Sequence, residues 1–185
     1  MNVSEGKECL CICTDTASFS RTMNAVNLPV MKLDVQGLVS AIAQSSAEDS
    51  MSNPLTPEQW ETLSAYLQPC TLAAGQVLFT QGATDRTLYF LESGSLSVHY
   101  QDEKERLRLA MVAAGSIVGE GSFFSHKPRS ASVQAGSSSK LWGLSALRFS
   151  ELSNRQPAIA LGLAMAAGAV LAKRLHNRRR RVAAT

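Results

Sequence analysis

The sequence predicts a mainly β fold with flanking helices: a barrel or jelly roll, an N-terminal helix and a long C-terminal helix. Three observations predict it. From Gly75 to Leu144 the chain divides into short apolar runs at 77–80, 87–91, 95–100, 107–112, 132–135 and 140–144, punctuated by Gly75, Gly82, Gly94, Gly115 and Gly136. Runs that short and that evenly spaced suit a closed or doubled antiparallel sheet. A helix-start signature lies ahead of them, and behind them residues 157–172 carry no charge at all.

Taken in order, residues 1–30 show scattered serines and threonines without periodicity. Leu33, Val35, Leu38, Val39 and Ile42 then fall on one face of a short helix. Residues 1–50 read as an extension, partly disordered, rather than a domain. Met31 and Met51 each precede a start of patterned chain, so Met1, Met31 and Met51 are alternative translation starts. Thr56, with Pro57 at the first helical position and Gln59 three residues on, forms a capping box, and Leu55 and Trp60 are placed as a hydrophobic staple. Trp60, Leu63 and Leu67 line one face of that helix and Pro69 stops it. After the strands, Ser145 caps a helix carrying Phe149 and Leu152, and Pro157 opens another running to about residue 176. The organisation expected is an extension over 1–50, a barrel over 51–154, and a helix with a basic tail over 155–185.

With 185 residues and 45% hydrophobic content, the chain can bury one core and has no room for a second full domain. The four cysteines are Cys9, Cys11, Cys13 and Cys70. The first three alternate and would share one face of a strand, a start toward a soft-metal site, but no neighbouring histidine or cysteine completes a tetrahedral set. Their spacing builds no disulfide framework and the N-terminus lacks a secretory core, which places the chain in a reducing cytoplasm. His99, His126 and His176 are separately placed, so no metal constellation assembles, and Ser130 and Ser132 have no base and acid arranged around them. The sequence therefore predicts no enzyme, no metal and no cofactor.

The chemistry concentrates between residues 115 and 133. A strand over 115–118 runs into Gly119-Glu120-Gly121-Ser122, where Gly119 permits a sharp turn and the small residues keep bulk away from the opening of a short helix. Free amides at such an opening favour an anion. Arg129, nine residues after Glu120, offers a guanidinium fork for two phosphate oxygens, whereas the Glu120 carboxylate can only accept, which suits a ribose hydroxyl. One side chain suits a phosphate and the other a sugar.

On these residues the sequence resembles the cyclic nucleotide-binding domain family, which includes the catabolite activator protein and the regulatory subunits of protein kinase A. The resemblance covers roughly residues 55–180 and includes 82–94, similar to the family's turn, strand and glycine hairpin. It implies a double-stranded β-helix (jelly-roll) barrel of that family's type. It also implies a phosphate-binding cassette made of Gly119, Glu120, Gly121, Ser122, Arg129, Ser130 and Ala131, with Glu120 on the ribose 2′-hydroxyl, Arg129 on the cyclic phosphate of cAMP or cGMP, and amides near Ser122 and Ser130 completing the cradle. Gly121 departs from the family, which usually carries a bulky aliphatic residue there; inside a helix glycine costs about 1 kcal/mol relative to alanine.

The uncharged stretch 157–172 is apolar all round, so protein must cover most of it. It falls short of the roughly 18–20 residues of a membrane span. One side can lie on the barrel and the other needs a partner, which predicts a homodimer through residues 157–176, as in the family, where the equivalent helix also covers the base. The pocket-facing part of this helix reads as wholly apolar, leaving the base to backbone or water. Lys173, Arg174 and Arg178 to Arg181 make six of the eighteen basic residues, leaving twelve against fifteen acids in the remainder. That tail reads as a helix end in a favourable dipole, or as a sequence-independent contact for polyanions. Too few residues follow for the helix-turn-helix module of DNA-reading relatives. The function expected is a cytoplasmic cyclic nucleotide sensor that signals through its C-terminal helix to an effector protein; the alternative is an unliganded barrel acting as a dimeric adaptor.

Overall fold

The computed structural model describes residues 33–101 and 107–183. The cysteines at 9, 11 and 13, and the disorder and start-site expectations for residues 1–32, lie outside the described residues.

Among the described residues, eight strands form two four-stranded antiparallel sheets. One has the order β1 (Gln68–Leu72), β8 (Ser139–Ser145), β3 (Thr87–Ser93), β6 (Ile117–Val118); the other has β2 (Val77–Phe79), β7 (Ser132–Ala135), β4 (Ser95–Gln101), β5 (Leu107–Ala113). The register runs Phe90 opposite Trp142 in the first sheet and Val98 opposite Val133 and Ala110 in the second. This is the predicted jelly-roll barrel.

The strand residues explain why the first sheet is so apolar. Successive side chains point to opposite faces, yet Leu88, Tyr89, Phe90 and Leu91 are all buried. Tyr89, Leu91 and Leu141 join Leu96, Val112, Val133 and Ala135 inside the barrel. Leu88, Phe90, Trp142 and Leu144 face the other way, into a second core built with the helices. Among the described residues the second sheet is covered on one face only, and Leu109 and Met111 on its edge strand β5 stand 59% exposed.

Helix α1 (Gln36–Gln44) buries Leu38 and Ile42 in the helical core, with Val35 beside them and Leu33 and Val39 partly covered. It passes so close to Glu92 of β3 that a Cβ at position 37 would meet the Glu92 carboxylate and require it to shift. The Glu92 carboxylate accepts from Trp142 Nε1 at 2.5 Å and Lys140 Nζ at 2.9 Å. Helix α2 (Pro57–Ser64) opens on the predicted capping box: Gln59 N donates to Thr56 Oγ1 at 3.4 Å and Thr56 N to Gln59 Oε1 at 2.9 Å. Leu55 and Trp60 are both buried beside it. Leu67 is buried too, but the helix has ended by then, and Pro69 lies within β1, a strand the sequence pattern did not predict. Pro69 leads into an edge position, where a missing N–H is tolerated.

Helices α3 (Glu120–Ser125), α4 (Ala146–Arg155) and α5 (Pro157–Ala183) complete the fold. Ser145 caps α4 by accepting from Arg148 N at 3.3 Å. Helix α5 runs beyond the expected residue 176 to Ala183, because arginine and alanine propagate a helix readily. Its segment Pro157–Asn177 is long and apolar enough, by length and composition, to cross a membrane, more than the charge-free stretch alone suggested. In the fold, Ile159, Ala160, Leu163, Ala166, Ala167 and Val170 pack into the helical core.

Candidate nucleotide site

The cassette begins where β6 ends. Gly119 caps α3 with φ 86°, a left-handed conformation free of penalty only for glycine, and a Cβ there would strike the Arg129 guanidinium and the Thr87 carbonyl. That turn places Glu120 and Ser122 inward, both buried, while Gly121 faces open space and Phe123 packs edge-on against Phe149 of α4 at 5.2 Å. The open position explains how glycine replaces a bulkier residue without leaving a hole. His126 ends α3 in a second left-handed turn, φ 61°, its ring nitrogen Nε2 3.1 Å from Arg86 Nη2.

Arg129 lies under the cassette with only 1% of its side chain exposed. All five of its N–H groups are used. Nη1 donates to Ser122 Oγ at 2.7 Å and Gly119 O at 3.1 Å, and Nη2 donates to Thr87 O at 2.8 Å. The remaining edge, Nε and Nη2, forms a two-point ion pair with Asp85, Nε to Oδ1 at 3.1 Å and Nη2 to Oδ2. The guanidinium also stacks on Phe79, 4.0 Å from the ring centre. Backbone bonds from Gly82 N to Arg129 O and from Arg129 N to Ala83 O, 2.8 and 2.7 Å, tie the 82–85 loop beside it. Ser130 is exposed and Ala131 half-buried, both leading into β7.

Glu120 has a different partner. Arg174 of α5 donates from Nη1 to Glu120 Oε1 at 2.7 Å, from Nε to Asp49 Oδ2 at 2.8 Å, and from Nη2 to Ile117 O at 2.8 Å and Ser116 Oγ at 3.2 Å. Burial works against the Arg174 charge, but the Glu120 and Asp49 carboxylates outweigh it and hold its pKa above the ordinary arginine value. The expectation that α5 offers this region only apolar groups is therefore corrected: the helix delivers a guanidinium to the cassette acid. Lys173 and Arg174 are likewise not free tail residues, since Lys173 Nζ donates to Ser50 O at 3.1 Å.

The structure thus gathers Gly119, Glu120, Ser122 and Arg129 around one turn, with Gly121 facing outward and Ser130 and Ala131 at the strand entry. Sequence reasoning missed Asp85, Asp49 and Arg174. A signal for Arg174 was present: Leu163, Ala167 and Val170 are buried at helical spacing, and four residues on, the same stripe reaches Arg174. Among the described residues no group of three or more histidines, cysteines or acids could hold a metal ion.

The family described as cyclic nucleotide-binding domain matches residues 69–156, spanning β1 through the end of α4. That stretch belongs to the cyclic nucleotide-binding domain family. A cGMP-dependent protein kinase of Plasmodium berghei is 26% identical over 63% of this chain and 14% of its own length. The cyclic AMP receptor protein of Thermus thermophilus is 32% identical over 66% of this chain and 56% of its own. The chain thus spans a small part of the first and about half of the second. A cyclic nucleotide-binding domain from Methylobacillus flagellatus superposes with a TM-score of 0.70 at 21% identity, covering 80% of this chain and 81% of that one, a likeness of fold.

Proposed function

We propose that this cyclic nucleotide-binding domain is a regulatory sensor, not an enzyme, that takes cAMP or cGMP with the cyclic phosphate on Arg129 and the ribose 2′-hydroxyl on Glu120. Gly119, Gly121, Ser122, Ser130 and Ala131 frame the ligand. The observation that carries the reading is the buried Arg129 fork beside an acceptor-only carboxylate on the same glycine turn, on a family fold. The relatives' names include both a cyclic GMP and a cyclic AMP protein, so either nucleotide fits the proposal.

In this reading α5 carries the signal. A ribose hydroxyl arriving at Glu120 enters the shell of Arg174, and Arg174 ties α5 to the segment around Asp49. Occupancy of the site then changes how firmly the C-terminal half of α5 is held, and an effector protein or a second copy of the chain reads that change. The placement remains cytoplasmic, with α5 on the barrel rather than across a membrane.

One observation favours the alternative of an unliganded dimeric adaptor: every N–H of Arg129 already has a partner within the fold. Calorimetry separates the two. Ligand-stripped protein is expected to bind cAMP or cGMP, and Arg129→Ala to weaken binding roughly tenfold to a hundredfold, the range for losing a charge-assisted contact. Ser130→Ala should weaken it less. No heat with either nucleotide at millimolar concentration returns the reading to the adaptor.

A further inference from the structure

We propose that Arg86 and His126 are positioning residues of the nucleotide site: together they latch the C-terminal end of the cassette helix α3, and the latch holds only while the His126 ring is neutral. The inference rests on the nucleotide reading above. It begins from two costs that fall on one contact. Among the described residues, His126 is the only one other than glycine with a left-handed backbone, φ 61°, and Arg86 Nε is the only buried side-chain nitrogen or oxygen without a hydrogen-bond partner. The two side chains meet, with Arg86 Nη2 3.1 Å from His126 Nε2. A backbone and a donor kept in unfavourable states at the same place point to a contact with a function.

The contact has a fixed polarity. Arginine can only donate, so His126 Nε2 accepts, and the ring is neutral with its proton on Nδ1. The same Nη2 donates at 3.3 Å to Phe123 O, one of the carbonyls that the end of α3 leaves without a helical partner. Arg86 is itself anchored, because its carbonyl accepts from Ala146 N at the start of α4. Helix α3 has six residues and includes Gly121, too short and too permissive to hold its shape alone. Arg129 secures its opening turn through Gly119 O and Ser122 Oγ, and Arg86 secures its closing turn. Glu120 lies in this helix, so the latch fixes the acceptor offered to the ribose without touching the nucleotide. Protonation of the ring reverses the contact. Nε2 then carries a hydrogen and faces the Arg86 guanidinium as a second cation, with exposed Lys127 next in the chain. Of the other charged groups around this helix, Glu120 is taken by Arg174 of α5, Asp85 by Arg129, and Arg148 of α4 donates to Ala65 O. The latch opens, α3 loses its closing tie, and a nucleotide must order the cassette at the expense of affinity.

The test is calorimetry with cAMP and cGMP on the full chain at about pH 8 and about pH 5.5, which brackets the range where histidine titrates. Wild type is expected to bind roughly threefold to tenfold more weakly at the lower pH. His126→Gly removes the ring and suits the left-handed backbone, so it should be at least as stable as wild type in thermal unfolding. It should nevertheless bind at the higher pH as weakly as wild type does at the lower, with a flat pH profile. Arg86→Gln, which removes the guanidinium, should flatten the profile as well. A wild type that binds equally at both pH values, or a His126→Gly variant with the affinity and profile of wild type, overturns the latch and leaves the nucleotide site standing. Absence of binding in wild type at both pH values overturns the nucleotide reading itself, and the positioning role with it. Should the variants fail to fold, nuclear magnetic resonance of wild type decides: the His126 ring and the Ser122 and Phe123 amides should titrate together, and amides that stay in place while the ring titrates overturn the latch.

Discussion

Arg174 is the residue through which three parts of the chain meet: Asp49 before the barrel, Ser116 and Ile117 in it, and Glu120 in the cassette. Removing it leaves two carboxylates without their cation, the mechanism by which a partly buried pair is most destabilising when broken from one side. Arg174→Ala is therefore expected to cost about 1.5–3 kcal/mol in denaturant unfolding. Lys173→Ala, which loses one contact to a backbone carbonyl from an exposed side chain, should stay within about 0.5 kcal/mol. A group whose pKa is raised by folding stabilises fully below its unfolded value, so Arg174 holds its charge in the clasp across neutral pH and its contribution is lost as pH rises into the strongly alkaline range. Equal stabilities for the two variants would show that the bridge is a surface pair of little weight. If Arg174 also restrains Glu120, its loss should change nucleotide affinity, whereas Lys173→Ala should not.

Helix α5 shows both what a sequence pattern reveals and where it stops. That one side of it lies against the rest of the fold was legible from composition, and so were most of the barrel strands, the capping box and the sharp turn at Gly119. Strand β1 was not, because Pro69 reads as a helix stop and only pairing with β8 makes 68–72 a strand. Asp85 and Asp49 were equally silent: an acid in a loop carries no periodicity, and its partner lies 44 or 125 residues away. On the exposed side of α5, Leu161, Met165, Gly168, Ala172 and Leu175 recur at alternating spacings of four and three, a spacing that suits two-helix packing. Leu161 and Met165 stand 65% and 68% exposed, and a Cβ at Gly168 meets nothing. A second copy would cover that seam, with Gly168 and Ala172 letting the helices approach. Met165→Glu or Gly168→Glu should give monomers in sedimentation at tens of micromolar, where wild type is expected as a dimer. A wild type that sediments as a monomer without aggregation contradicts the pairing.

At the scale of the whole molecule, charge divides between the body and the end of α5. Lys173 and Arg174 belong to the body, since both are bound to the 49–50 segment, and the run from Arg178 to Arg181 is what remains of the basic tail. Four consecutive arginines near the C-terminal end of a helix add positive charge where its dipole is negative, and such a concentration of cationic residues favours anions. We expect full-length protein to bind duplex DNA or anionic vesicles without regard to base sequence, with affinity falling steeply as salt rises because each phosphate contact releases counterions. Deleting residues 178–185 should abolish that binding and leave both stability and nucleotide affinity within error of wild type, because every α5 contact to the cassette described above lies at or before Arg174. Deleting 173–185 instead should also destabilise the fold by removing the Arg174 bridge. Unchanged binding in a filter or co-sedimentation assay after the shorter deletion would move the anion site to the barrel and leave the four arginines as a helix end.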